Sequence, residues 1–126
     1  MKDNRPVNLN LTTVAFPITA IASILHRISA VASWGFLGVF LMYLGCALSS
    51  PEQFNEVKAA LSDGCWIKLL LWLGLTAVAY HSVASLKHVI QDFGFFEDFA
   101  GGQLISWATL VLGGLLSVLA GVAICL

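Results

Sequence analysis

Three long apolar stretches constrain this chain more than any other feature of its sequence. They cover residues 28–48, 69–86 and 104–126, and none of them contains Asp, Glu, Lys or Arg. An α-helix needs about 20 residues to cross a hydrocarbon core roughly 30 Å thick. Only 10% of the residues are charged, against about 25% in a typical soluble domain. The sequence therefore predicts an all-α integral membrane protein with three transmembrane helices.

The helices are expected to extend somewhat beyond these stretches, over residues 16–48, 66–91 and 103–126. Pro17 suits the first turn of the first helix. That helix would be roughly 50 Å long, so its first third would protrude from the hydrocarbon or lie among the lipid headgroups. The chain as a whole, residues 1–126, is interpreted as a single transmembrane anchor domain.

A short surface helix is predicted between the first two spans, over residues 51–61. Ser50-Pro51-Glu52-Gln53 has the pattern of a capping box with proline at the first helical position. Apolar residues then follow at helical spacing, which is typical of an amphipathic helix on a surface.

Basic residues set the expected orientation of the chain in the membrane. Four fall on the side of the N-terminus and two on the other side: Lys2, Arg5, Arg27 and Lys87 against Lys58 and Lys68. The positive-inside rule then places the N-terminal segment 1–15 in the cytoplasm. The first 13 residues are too short and too weakly basic for a mitochondrial transit peptide, so a bacterial inner membrane is expected. The net charge of −1 excludes the basic footprint of a nucleic-acid-binding protein.

Three cysteines and one stripe of small residues each leave two interpretations open. Cys46 and Cys65 flank one loop, so they either form a disulfide or are small packing residues like Cys125. Gly113, Ser117 and Gly121 follow at four-residue spacing, which allows helices to approach closely in lipid. This stripe contacts either a partner subunit or another helix of the same chain.

Histidines supply the candidate chemistry within the spans, where ionisable side chains are costly and usually functional. His81 lies deep in the second span, with small residues, Ala77 and Ser85, one turn away on the same face. This pattern suits the axial ligand of a haem, and the alternative is a hydrogen bond to a neighbouring helix. His26 and His88 are expected at shallower depths. A second axial ligand would then come from another subunit.

Ser23 and Arg27 lie one turn apart on one face of the first helix. A guanidinium and a hydroxyl at the membrane edge could hold a haem propionate or the oxygen of a quinone. The alternative is that Arg27 reaches to lipid phosphate and Ser23 is a packing residue.

Two motifs resemble those of the cytochrome b membrane-anchor subunits of succinate dehydrogenase. The first is SILHRISA at residues 23–30, preceded by RPVNL at 5–9 and FPIT at 16–19; the second is HSVASLKH at 81–88, running on to Asp92. The resemblance extends over essentially the whole chain. It departs from the family pattern at Ala30 and Ser85, where glycine is usual, and at Lys87, where arginine is usual.

The resemblance implies a specific function in a four-subunit complex. The chain would form half of a heterodimeric helical bundle with a second small membrane anchor, below a flavoprotein and an iron–sulfur subunit. His81 would ligate the iron of a haem b shared between the two anchors, and Ser23 and Arg27 would line a ubiquinone site. His26, Arg27 and His88 would lie near the haem propionates. The alternatives are a structural anchor without haem and a fumarate reductase anchor that uses menaquinone.

Overall fold

A computed structural model describes residues 13–126 of the chain, and within them it contains four α-helices and no strand. The helices are α1 (Ile18–Ala47), α2 (Pro51–Asp63), α3 (Cys65–Asp92) and α4 (Phe99–Cys125). α1, α3 and α4 are long and apolar enough to cross a membrane. The predicted all-α class with three transmembrane helices is therefore confirmed. Lys2, Arg5 and the RPVNL motif lie outside the described residues.

α4 begins at Phe99, four residues before its predicted start at residue 103. The earlier start is explained by a helix cap at Asp98, whose carboxylate accepts a hydrogen bond from the backbone N–H of Gly101 at 3.3 Å. The pattern of apolar residues does not reveal this cap. The preceding turn contains two residues with positive φ, Gly94 at 84° and Phe96 at 58°. Glycine tolerates this conformation because it has no Cβ.

α2 forms where the capping signal predicts it, with Pro51 at its first position. The hydroxyl of Ser50 accepts a hydrogen bond from the backbone N–H of Gln53 at 3.2 Å. The side chain of Gln53 bonds to the hydroxyl of Ser49, so only one half of the capping box is formed. Gly64 ends α2 and also begins α3. A Cβ at Gly64 would lie 2.5 Å from the carbonyl oxygen of Ala60, so this close approach requires glycine.

α3 packs between α1 and α4, and the small residues of α4 contact its aromatic side chains. A Cβ on Gly113 would lie 2.5 Å from the ring of Tyr80. The indole N–H of Trp72 donates to the carbonyl oxygen of Ser117 at 2.9 Å, and a Cβ on Gly121 would lie 3.2 Å from the same indole nitrogen. The small-residue stripe therefore packs inside the chain, against α3.

Most large apolar side chains face outwards, as expected of helices surrounded by lipid. Only two residues of α1, Ala22 and Ser29, are buried, while Trp34 is 76% exposed. The three cysteines are exposed free thiols. The structure thus contains no disulfide between Cys46 and Cys65.

Candidate functional site

All three histidines of the chain meet where α1 crosses α3. The rings of His26 and His81 stack, with centroids 4.5 Å apart and planes inclined by 23°. His88 lies 5.1 Å from His26, centroid to centroid. The sequence suggested that His26 was shallower than His81, but the crossing of the two helices brings their side chains to the same level.

The two nitrogens of His81 have different environments. Nδ1 lies 3.4 Å from the hydroxyl oxygen of Ser29 and 3.4 Å from the carbonyl oxygen of His26. No hydrogen bond joins Nε2 to any of the residues that the structure describes. The neighbouring residues Ala77 and Ala84 on α3 are buried and small. One nitrogen is therefore held by the chain, and the other remains available to a ligand.

Ser85 gives His26 a hydrogen-bond partner on α3. Its hydroxyl lies 3.1 Å from Nε2 of His26, so this bond links α1 to α3 beside the stacked rings. Glycine is usual at this position in the family that the sequence resembles, and glycine would leave His26 without this partner. The departure at Ser85 therefore adds a polar contact inside the site.

Lys87 is buried close to the histidines, with only 6% of its surface exposed. Between residues 13 and 126, neither a hydrogen bond nor a carboxylate partner compensates its ammonium group. The ammonium nitrogen itself is not among the fully buried atoms, so a group of another molecule can reach it. Lys87 therefore suits an anion that another molecule supplies.

Ser23 and Arg27 lie one turn apart on α1, at the end of the helix bundle that carries the histidines. Ser23 is half-buried and Arg27 is exposed, and within the described part of the chain neither side chain has a hydrogen bond or an ion pair. A serine in a helix commonly bonds to a carbonyl one turn back, as Ser82 does with Val78 at 2.8 Å. The hydroxyl of Ser23 is thus left free for a ligand.

Two serines near the histidines have no role assigned by the sequence. Ser29 belongs to the SILHRISA motif, but only the structure shows its contact with His81. Ser33 lies one turn further along α1, and its hydroxyl oxygen is buried without a hydrogen-bond partner in the described region. Their spacing from His26 along one helical face is the signal that could have identified them.

Neither a metal site of three or more ligands nor the cavity described next lies at the histidines of the described chain. Among residues 13–126, no group of three or more histidine, cysteine or acidic side chains is arranged to hold a metal ion. A cavity of about 670 Å³ lies at the opposite end of the bundle, and its lining includes Phe40, Phe54, Lys58 and Lys68 but no histidine. The histidines thus offer one ring nitrogen without a partner among the described residues, Nε2 of His81, and Lys87 lies nearby.

Comparison with known proteins identifies the family of the chain. Residues 1–121 match the model of the succinate dehydrogenase/fumarate reductase transmembrane subunit family. The chain is similar to the succinate dehydrogenase cytochrome b556 subunit of Coxiella burnetii, with 37% identity over 97% of this chain and 98% of that protein. It is 27% identical to the cytochrome b556 subunit of Paracoccus denitrificans, over 94% of this chain and 90% of that one. The cytochrome b560 subunit of Chondrus crispus is 32% identical over 75% and 76% of the two chains. The chain therefore belongs to the family of succinate dehydrogenase/fumarate reductase transmembrane subunits.

Proposed function

We propose that this chain is the cytochrome b membrane anchor of a succinate:ubiquinone oxidoreductase. It binds haem b through His81 and contributes Ser23 and Arg27 to the site where ubiquinone is reduced. One observation carries the proposal: Nε2 of His81 has no partner among the described residues, while Nδ1 is held at 3.4 Å by both Ser29 and the His26 carbonyl. This is the arrangement of a histidine that ligates a metal, whose other nitrogen bonds to the protein.

The residues around His81 fit a haem. Ala77 and Ala84 are buried and small, so a flat macrocycle can approach α3. Arg27, Lys87 and the imidazoles of His26 and His88 provide donors for the two propionates, and Lys87 has no carboxylate partner within residues 13–126. A bound haem b supplies a one-electron carrier. The chain's own residues orient it and compensate its negative charge.

Of the stacked pair His26 and His81, it is His81 that would hold the haem iron. The stacked rings of His26 and His81, 4.5 Å apart between centroids, leave no room for a macrocycle between them. Nε2 of His26 is also committed to the hydroxyl of Ser85 at 3.1 Å. A further ligand would then come from a second small membrane anchor.

Ser23 and Arg27 act on the quinone. Reduction places negative charge on the quinone oxygens, and a fixed guanidinium stabilises that charge more strongly than it stabilises the neutral ring. Such differential binding is what lowers a reaction barrier. The free hydroxyl of Ser23 donates to a quinone oxygen and orients the ring, and protons arrive from the water at the cytoplasmic surface.

Succinate oxidation takes place on other subunits. The described residues form mainly three apolar helices, and their sequence shows no glycine-rich loop that would bind a flavin phosphate. A flavoprotein therefore oxidises succinate, and an iron–sulfur subunit docked on the cytoplasmic face passes the electrons to the quinone beside Ser23 and Arg27. The membrane is the bacterial inner membrane, with the N-terminus in the cytoplasm.

The test is purification of the tagged chain from native membranes in mild detergent. A flavoprotein, an iron–sulfur protein, a second small membrane subunit and haem b should co-purify with it. A complex with the three partners but without haem would support the alternative of a structural anchor. Preferential fumarate reduction with menaquinol would support a fumarate reductase, and recovery of the chain alone would contradict all three assignments.

A further inference from the structure

Ser29 is a buried hydroxyl between the backbone of α1 and the ring of His81. Its residue is only 6% exposed. The hydroxyl donates to the carbonyl oxygen of His26 at 2.8 Å, and its oxygen lies 3.4 Å from Nδ1 of His81. The same carbonyl oxygen lies 3.4 Å from the same nitrogen. Three polar groups thus share one small site.

Counting donors in this site determines the tautomer of His81. A serine hydroxyl has one hydrogen, and Ser29 uses it for the carbonyl of His26, the closer partner. A carbonyl oxygen can only accept. Both contacts at Nδ1 are therefore hydrogen bonds only if Nδ1 carries the hydrogen and donates it. Nε2 of the neutral ring then keeps its lone pair, as an iron ligand requires.

We propose that Ser29 is the positioning residue of the haem ligand: with the carbonyl of His26, it holds the Nδ1–H tautomer of His81 and directs Nε2 towards the iron. This inference rests on the proposed ligation of haem b by His81. An acceptor on Nδ1–H fixes the ring orientation and makes Nε2 more basic, and loss of such an acceptor typically lowers metal affinity by about 10- to 100-fold. In this proposal Ser29 acts through His81 and is not itself a haem ligand.

A matched serine on α4 serves as the control that distinguishes a positioning role of Ser29 from a purely structural one. Ser106 is fully buried, and its hydroxyl donates to the carbonyl oxygen of Gly102 at 2.7 Å. It therefore shares with Ser29 both burial and a bond to a carbonyl of its own helix. Ser106 makes no described contact with a histidine. Replacing either serine by alanine removes a buried hydroxyl and its bond to a backbone carbonyl. Only the replacement of Ser29 also removes a contact with His81.

The experiment measures haem binding and haem redox potential in the purified complex, without turnover. Ser29→Ala should lower haem affinity by about 10- to 100-fold. It should also make the haem potential more positive, because a less basic imidazole stabilises ferric iron less. Ser106→Ala should leave both quantities at the parent values. A Ser29→Ala complex with the affinity and potential of Ser106→Ala would overturn the inference.

A second pair of variants covers the case in which Ser29→Ala does not assemble. Ser29→Thr and Ser29→Val have nearly the same shape and differ in the hydroxyl, so any effect of crowding is common to both. The potential should stay near the parent value in the threonine variant and become more positive in the valine variant. Equal potentials in the two would overturn the inference. Retention of the parent haem spectrum in His81→Ala would instead overturn the proposed function.

Discussion

The imidazole of His26 stacks on that of His81 across the α1–α3 interface, with the ring centroids 4.5 Å apart. His26 is held in this position by the hydroxyl of Ser85 at 3.1 Å from Nε2, and its backbone carbonyl is shared with Ser29 and His81. One residue of α1 thus contacts the proposed haem ligand through both its side chain and its backbone. The proposed quinone residues, Ser23 and Arg27, lie within one turn of it.

The two histidines of α3 should differ in their effect on the haem. His81→Ala should abolish the low-spin b-type spectrum, because it removes the one nitrogen that the chain offers to the iron. His88→Ala should keep an iron-bound, six-coordinate haem, because His88 serves the propionate side only. Reduced-minus-oxidised absorption spectra of the purified complexes provide the measurement. An unchanged spectrum in His81→Ala would refute the ligand assignment.

Quinone reduction should depend on the free hydroxyl and the guanidinium of α1. Ser23→Ala and Arg27→Leu should each lower succinate-to-quinone activity by about 10²- to 10³-fold, the usual cost of losing a donor to developing negative charge. Succinate oxidation by a dye that accepts electrons upstream should persist in both. Ser82→Ala is the matched control, since that exposed serine bonds only to its own helix, at the carbonyl of Val78. Near-normal quinone reduction in both variants would indicate a lipid-facing Arg27 instead.

Two adjacent glycines of α4 should respond differently to the same change. A Cβ at Gly113 would lie 2.5 Å from the ring of Tyr80, whereas a Cβ at Gly114 would have no neighbour within 4 Å. Gly113→Ala should therefore be less stable than Gly114→Ala by about 1–3 kcal/mol, the typical cost of overpacking. Unfolding of the isolated chain in detergent measures the difference in free energy. Equal stabilities would mean that α3 and α4 pack less closely than described.

The orientation of the chain can be tested with its own cysteines. Cys46 near the end of α1 and Cys65 at the start of α3 are exposed free thiols, and the positive-inside rule places both at the outer face. A membrane-impermeant maleimide should label them in intact spheroplasts. Labelling confined to inverted vesicles would reverse the assignment and place the N-terminus outside.

Sequence alone could predict the spans and the surface helix, because each depends on local patterns. Apolar length identifies α1, α3 and α4, and Ser50 with Pro51 identifies the start of α2. The packing of α4 on α3 can also be predicted from the sequence. Trp72, Thr76 and Tyr80 follow at the same four-residue spacing as Gly121, Ser117 and Gly113 in the opposite direction, and the hydroxyls of Thr76 and Ser117 lie 2.8 Å apart.

The arrangement of the histidines was not predictable in the same way. Whether His26 reaches His81 depends on how far α1 and α3 are displaced along each other and on their rotation about their axes. Neither quantity is set by the spacing of residues within one helix. The contact of Ser29 with His81 depends on the same two quantities, so the motif contains the serine but does not reveal its partner. The early start of α4 was missed for a different reason, because the cap at Asp98 lies in a polar turn outside the apolar pattern.

The single glycine between α2 and α3 has a mechanical consequence. Gly64 is the end of one helix and the start of the other, so no slack chain separates the surface segment from the membrane-crossing one. α2 packs more extensively on α1 than on α3, so Gly64 is the joint at which α3 can change its tilt while α2 stays on α1. Because the proposed haem ligand His81 lies on α3, an adjustment of this helix to a bound haem would be absorbed at Gly64 and would leave the surface helix in place.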